Sequence, residues 1–476
     1  MRRHRPRSAR SRTRRPHASE QGSIIPMRRR IGRAAALALS AGLVWSFAGA
    51  GQEDWTGLFD GGGTTVDIDA LLASAEGSAP EIGAIKGLTD RYWVTVAAQS
   101  SRERTKIAEA GMSIDGVEAG QVSGTADSEI LAKLKEAGFR VVSAVRLSKF
   151  GPDDFPPADG VYHNYGEVQS ALQGAQGAAS EYASLFSMGK SGEGRDLTGI
   201  RFHRGGGEAK PGVLFMGSHH AREHLSTEVP LRLAQWLAEN KDRPEVKRLL
   251  ETRDIYIVPL INPDGSEYDI ASGKYRWHRK NMRRNHDGSI GVDLNRNYAW
   301  GWGGRGASGN PGSDTYYGPS AFSEPESQAV RDFVEGHSNI TVMLSYHTFS
   351  ELVLYPWGGS DEPISDGRAL AAFKVMAEKT AGMTGYRPMQ SSELYVATGD
   401  TCDWAWGAKG IFCFTFELTP RSNWDGGFYP GAGAVETTVA KNIDPALYLI
   451  DLADDPYRAA DGKVAAAPKP KGENPS

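Results

Sequence analysis

Four stretches of the chain are almost continuously apolar: VLFMGSH (213–219), IYIVPLI (255–261), TVMLSYH (341–347) and IFCFTFEL (411–418). Runs of that length and composition read as strands covered on both faces. Apolar residues recur at helical spacing in 226–240, 323–336, 366–383 and 434–452. Strands alternating with long helices predict an α/β domain with a central, mostly buried sheet over about residues 161–455. Upstream the pattern is different. A strand (YWVTVAA, from 92), a helix (SSRERTKIAEA, from 100), extended residues near 114–124, a helix (ADSEILAKLKEAG, from 126) and a strand (FRVVSAVRL, from 139) predict a small α+β unit within 51–150. The two are joined by KFGPDDFPPADG, whose prolines and three acids predict an exposed linker at about 151–160 that proteases can cut. The polar, Pro-rich end, 456–476, predicts a disordered tail.

Residues 1–50 are set apart from this folded pattern. Arg28, Arg29, Arg30 and Arg33 precede AAALALSAGLVWSF, and Ala48-Gly49-Ala50 follows as a small-residue cleavage site. That order predicts a signal peptide and a secreted, extracellular or periplasmic protein. The apolar run falls short of the ~20 residues that cross a bilayer, so no stable membrane span is expected after processing. The eight arginines upstream of Met27 suggest that translation starts at Met27. Without residues 1–50 the chain carries 42 basic and 57 acidic side chains, a net −15, which argues against a nucleic-acid partner. Within so acidic a body the basic run KYRWHRKNMRR from 274 reads as a local anion site. Hydrophobic residues are 39% of the chain and the 57 glycines imply many tight turns, as in a folded globular protein. Two cysteines, Cys402 and Cys413, are too few for a disulfide scaffold.

The candidate chemistry lies in GSHHAREHLSTEVP, from 217. His220, Glu223 and His224 spell H-x-x-E-H, in which both histidines bind zinc and the glutamate is the base; His220 and Glu223 alone spell H-x-x-E, in which the glutamate is itself a ligand. The longer motif needs both histidines on one established helix face, yet His220 follows directly on a predicted strand. His347 ends another buried strand, and two histidines with one carboxylate are the protein ligands of a catalytic zinc with an open fourth position.

INPDG (261–265), WHRKN (277–281), GVDLNRNY (291–298), LYVATGDTCDW (394–404) and FTFEL (414–418) accompany that motif in order. Together they make the chain, over roughly residues 160–450, resemble the secreted zinc carboxypeptidases, the metallocarboxypeptidases of pancreatic and bacterial carboxypeptidase T type. The resemblance implies a mixed, twisted central sheet flanked by helices, one Zn²⁺ held by His220, Glu223 and His347, and Glu417 as general base and acid. His224 falls where the family often has an aromatic residue. Arg279 would polarise the scissile carbonyl, Asn295, Arg296 and Tyr395 would hold the terminal carboxylate, and Arg222 would hold substrate further along the cleft. Asp400 and Cys402 fall at pocket positions, which together imply acceptance of both basic and apolar C-termini. Residues 52–150 resemble an inhibitory pro-region, which implies a zymogen, an activating protease as partner and peptides with a free C-terminus as substrates. A monomer is expected, and calcium binding is left open. Two other functions share the fold: a peptidase for cell-wall peptides, and a relative that binds peptide or glycan without hydrolysis. The intact His220, Glu223, His347 and Glu417 set favours an active enzyme.

Overall fold

The computed structural model describes residues 91–462 except 119, 147–153, 206–208, 272 and 274. The predicted targeting segment, the start of the α+β unit and the last residues of the tail lie outside the described residues. Two bodies of structure are built on separate sheets. The first is a four-stranded antiparallel sheet of β1 (Arg91–Ala97), β2 (Gly116–Glu118), β3 (Gln121–Asp127) and β4 (Val141–Arg146), in the order β2-β3-β1-β4. Helices α1 (Ser101–Glu109) and α2 (Ser128–Glu136) cover it, and Val94, Val96, Ile107, Leu131 and Leu134 close its core. Asp127 starts α2 by accepting the Ile130 amide at 2.8 Å, a side-chain cap on an otherwise orphaned donor.

The larger body begins with α3 (Tyr165–Ala178), β5 (Ala183–Lys190), β6 (Asp196–Phe202), β7 (Gly212–Gly217), α4 (Leu225–Glu239), α5 (Pro244–Thr252), β8 (Asp254–Val258) and α6 (Pro263–Ile270). It continues with α7 (Pro325–Gly336), β9 (Ile340–Thr348), β10 (Leu352–Tyr355), α8 (Gly367–Thr384), β11 (Arg387–Gln390), α9 (Thr401–Lys409), β12 (Phe412–Leu418) and α10 (Gly433–Leu452). The eight strands form one sheet in the order β11-β10-β12-β9-β7-β8-β6-β5. Its centre is parallel (β8 to β7, β7 to β9, β9 to β12), and antiparallel pairs flank it, so the sheet is mixed as expected.

Side chains on a strand alternate between faces, and here each face has its own core. Val213, Phe215, Val342, Leu344, Tyr346, Phe412, Phe414 and Phe416 join one cluster with residues of α3, α4, α8 and α10. Leu214, Met216, Met343 and Cys413 join the other, with Val330 and Val334 of α7 and Trp404 and Ala405 of α9. By the same alternation Ser345, His347, Thr415 and Glu417 belong to the second face.

Two expectations change. The distal part of the linker is anchored at two points, although Asp154, Pro157, Ala158 and Gly160 are exposed as expected: Phe155 is buried, with its ring 4.9 Å from that of His224, and buried Asp159 accepts from the Tyr275 hydroxyl at 2.6 Å. The tail's first residues, Pro456–Ala459, form a 3₁₀ turn whose Tyr457 ring lies 5.1 Å from Phe412. In both places an aromatic side chain carries enough apolar area to dock a Pro-rich segment.

The two bodies are joined by more than the linker. From α1, the Ser101 hydroxyl donates to the Ser392 carbonyl at 3.0 Å, and Arg104 donates to the carbonyls of Glu393, at 2.9 Å, and Leu394. The Thr105 hydroxyl accepts the Val396 amide at 3.0 Å. This helix therefore holds the segment that carries Tyr395.

The chain leaves β7 through Gly217 and Ser218. A Cβ on Gly217 would sit 2.0 Å from the Ser226 carbonyl oxygen of α4, and Ser218 has a left-handed φ of 53°. Only a glycine allows helix and strand to approach so closely while the chain turns toward His220. Gly217→Ala should cost about 1–3 kcal/mol of stability, as overpacking does. An unchanged denaturant midpoint would show that α4 can shift freely.

Candidate metal centre and cleft

His220, Arg222 and Glu223 lie on the turn between β7 and α4, closed by the Glu223 amide donating to the His220 carbonyl at 3.2 Å. His347 stands near the end of β9, where Gly217 pairs with Tyr346 and His347 pairs with Glu417 of β12. The turn after β7 and the register of β9 with β7 and β12 thus gather His220, Glu223, His347 and Glu417. His220 Nδ1 lies 2.7 Å from Glu223 Oε1, His347 Nδ1 lies 2.9 Å from Glu223 Oε2, and the two ring nitrogens are 3.1 Å apart. All three side chains are buried, and their ligand atoms fall within 4.8 Å of one another. Two imidazole nitrogens facing each other beside a carboxylate suit a shared cation, and nitrogen with carboxylate is a zinc donor set.

The protonation states agree with that use. Burial, and then the Arg279 charge, lower the pKa of both histidines, that of His347 to about 3, so each keeps a lone pair. On the far side of His220, Nε2 lies 3.1 Å from Asp293 Oδ1, which puts the proton on Nε2 and leaves Nδ1 to the metal. Asp293 also accepts from Arg279 Nε at 3.0 Å. Burial alone would raise the Asp293 pKa, but Arg279, His220 and Arg296 hold it well below the usual carboxylate range. Glu417 is the opposite case. Burial, and then the Glu223 charge, push it well above that range despite Arg279 and Arg296.

His224 turns away. Its Nε2 lies 2.8 Å from Asp269 Oδ2 and it packs among Phe155, Tyr275 and Tyr429. It is therefore not brought to the other three residues.

A cavity of about 50 Å³ adjoins the centre, lined by His220, Glu223, Arg279, Asn295, Arg296, His347, Tyr395 and Glu417 from the large body and by Ile114 to Val117 from the small one. Arg296 donates to the Tyr395 hydroxyl at 3.0 Å and to the Asn295 carbonyl at 2.7 Å. Asp400 and Cys402 are not in its walls. Asp400 Oδ1 caps α9 by accepting the amides of Cys402 and Asp403 at 2.9 and 3.0 Å, while Oδ2 is buried without a hydrogen-bond partner. Burial raises the Asp400 pKa. Cys402 is joined to Cys413, tying α9 to the strand that carries Glu417.

Arg222 is wholly buried against the small body. Its Nη2 is 2.8 Å from both oxygens of Asp115 and 2.9 Å from the Ser113 hydroxyl; its Nη1 donates to Thr125 Oγ1 at 2.9 Å and Asp314 Oδ2 at 3.3 Å. Asp115 Oδ1 also lies 3.4 Å from Arg279 Nη1. Asp115 and Asp293 carried no role in the sequence; Asp293 stood inside a quoted motif, but nothing marked Asp115.

Comparison with known proteins now adds to this geometry. A family model described as zinc carboxypeptidase matches residues 168–444, more than half of the chain. The chain belongs to the zinc carboxypeptidase family. It is 33% identical over 378 residues to a zinc carboxypeptidase of Saccharothrix mutabilis subsp. capreolus, covering 74% of this chain and 87% of that protein. It is also 33% identical over 262 residues to carboxypeptidase A5 of Macaca fascicularis, covering 54% of this chain and 60% of that one. The fold matches the crystal structure of carboxypeptidase A from Helicoverpa armigera with a TM-score of 0.63 at 23% identity, over 79% of this chain and 99% of the other. Family membership makes the protein a zinc-dependent hydrolase, for which peptides are fitting substrates. Removing the partner of His220 should weaken metal binding: Asp293→Ala is expected to lower zinc affinity about 10–100-fold, read by competition with a chelator. Unaltered affinity would separate Asp293 from the metal site.

Proposed function

We propose that the protein is a secreted zinc metallocarboxypeptidase, made as a zymogen, that removes apolar and basic residues from the C-termini of peptides. The observation that carries the catalytic part is the placing of Glu417, by register with His347, in one cavity with Arg279, Asn295, Arg296 and Tyr395. A zinc ion held by His220, Glu223 and His347 would supply the Lewis acidity that brings the pKa of water to about 7. Glu417 is placed to take a proton from water in this cavity and to return it to the departing amine. Its environment holds protons readily, which suits the second task. Arg279 is aimed by Asp293 to steady the developing oxyanion. Arg296 and Asn295, with Tyr395 beside them, offer donors for a terminal carboxylate, the group that separates a chain end from its interior. For the C-terminal side chain, acceptance of both basic and apolar residues rests on the sequence positions of Asp400 and Cys402 alone, since neither lines this cavity.

The zymogen part rests on Asp115. A carboxylate paired to Arg222 and Arg279 occupies two groups that a substrate needs, and about 50 Å³ is room for water, not for a C-terminal residue. Because Phe155 and Asp159 anchor the end of the linker to the large body, a cut before them would release the unit best. Export rests on the arginines and apolar run before residue 50 alone; among the described residues no helix is long and apolar enough to cross a membrane.

The deciding experiment measures hydrolysis of peptides with varied C-termini by the processed protein, with and without a chelator. Processed enzyme should release Leu, Phe, Arg and Lys, and chelation should stop it; Glu417→Gln should keep one zinc per chain and lose turnover. Loss of zinc in that variant would make Glu417 a ligand and overturn its assigned role. Asp115→Ala in the unprocessed protein should raise basal activity at least about tenfold, since one charge-assisted pair is worth ~1.5–3 kcal/mol. Full activity of the unprocessed, unmutated protein would reduce residues 91–146 to an accessory domain.

A further inference from the structure

His219 adjoins a candidate ligand and is fully buried; its ring stacks on that of His347 with centroids 5.6 Å apart, yet both of its nitrogens are engaged elsewhere. Its Nδ1 lies 3.1 Å from the hydroxyl of Ser345, which stands two residues before His347 on the same face of β9. Its Nε2 lies 3.2 Å from Thr401 Oγ1 and 3.0 Å from the Tyr298 hydroxyl. Thr401 is the first residue of α9, and both its amide, at 3.0 Å, and its hydroxyl, at 2.9 Å, reach Asn295 Oδ1.

The direction of these bonds is fixed by one of them. A backbone amide only donates, so the Asn295 atom that meets it is the oxygen. The Thr401 hydroxyl spends its single proton on the same oxygen and therefore accepts from His219 Nε2–H. That tautomer leaves Nδ1 as acceptor for the Ser345 hydroxyl. The relay runs Ser345 to His219 to Thr401 to Asn295, and the amide nitrogen is left for the cavity that Asn295 lines. Rotating the amide would set two buried donors against an NH₂ group, which is costly in a dry interior.

We propose that Thr401, backed by His219, is a positioning residue for recognition of the substrate's terminal carboxylate: it locks Asn295 with its nitrogen toward that carboxylate. The proposal rests on Asn295 and Arg296 holding the carboxylate. Neither Thr401 nor His219 touches substrate; each acts through Asn295.

The test uses processed, zinc-loaded enzyme, a blocked dipeptide with C-terminal Phe, and 3-phenylpropionate as a small carboxylate inhibitor. Thr401→Val keeps the shape and the backbone donor but removes the hydroxyl. It should raise both KM and the inhibition constant about tenfold, with kcat changed by less than about twofold. Thr401→Ser should restore both constants, and His219→Leu should act in the same direction as Thr401→Val. Added to Asn295→Ala, Thr401→Val should have no further effect, because it works only through that amide. Zinc content is measured throughout, since His219 neighbours His220. If Thr401→Val lowers kcat or zinc content while KM and the inhibition constant hold, the residue is merely structural and the proposal falls. If Asn295→Ala itself leaves both constants unchanged, the carboxylate assignment is at fault, and the positioning role falls with it.

Discussion

The register of three parallel strands is the constraint on which the site depends. β9 lies between β7 and β12, with Gly217 opposite Tyr346 and His347 opposite Glu417. Tyr346 and Phe416, one residue earlier on their strands, point into the apolar layer shared with α4, α8 and α10. A slip of one residue would therefore exchange the polar groups of the candidate site for core groups on every strand it touched. The apolar runs that fix the register and the polar residues that do the chemistry are alternate letters of the same segments.

Charge balance is the second condition. Glu223, Asp293, Glu417 and Asp115 share a buried region with Arg222, Arg279 and Arg296. Charges taken from water need partners or must be neutralised. Asp293, between His220 and Arg279, is held well below the usual carboxylate range, whereas burial and then the Glu223 charge raise Glu417 above it. Both face Arg279 and Arg296; they differ because His220 adds its hydrogen bond at Asp293, whereas the Glu223 charge stands beside Glu417. For Arg279 burial disfavours the charge, but Asp293, Asp115 and Glu223 outweigh it.

Much of this was legible in the sequence. The strands at 213–219, 341–347 and 411–418 are visible because a doubly covered strand has nothing but apolar residues to show, and the helices at 226–240 and 434–452 fall within one residue of α4 and α10. The predicted strand at 255–261 runs past β8, which ends at Val258 because Pro259 follows and cannot extend the ladder. Less visible were partners remote in sequence. Asp115 meets Arg222 across 107 residues, and Thr401 meets Asn295 across 106, and no local pattern announces such a meeting. The burial of Phe155 is hidden in the linker's sequence because prolines and acids suggest solvent, while a single aromatic ring among them packs beside His224.

The grip of α1 on residues 392–396 has a consequence for local stability. The carbonyls of Ser392, Glu393 and Leu394 and the amide of Val396 are bonded to side chains of the small body. Separating the bodies would hand those groups to water and uncover the Tyr395 ring, which packs against the small body's core. The segment would then open by fluctuations of lower free energy than the sheet around it. The Val396 amide would become a site of faster deuterium uptake than the amides of the sheet, and Tyr395 would be carried on a stretch of backbone that breathes more easily than the strands behind it.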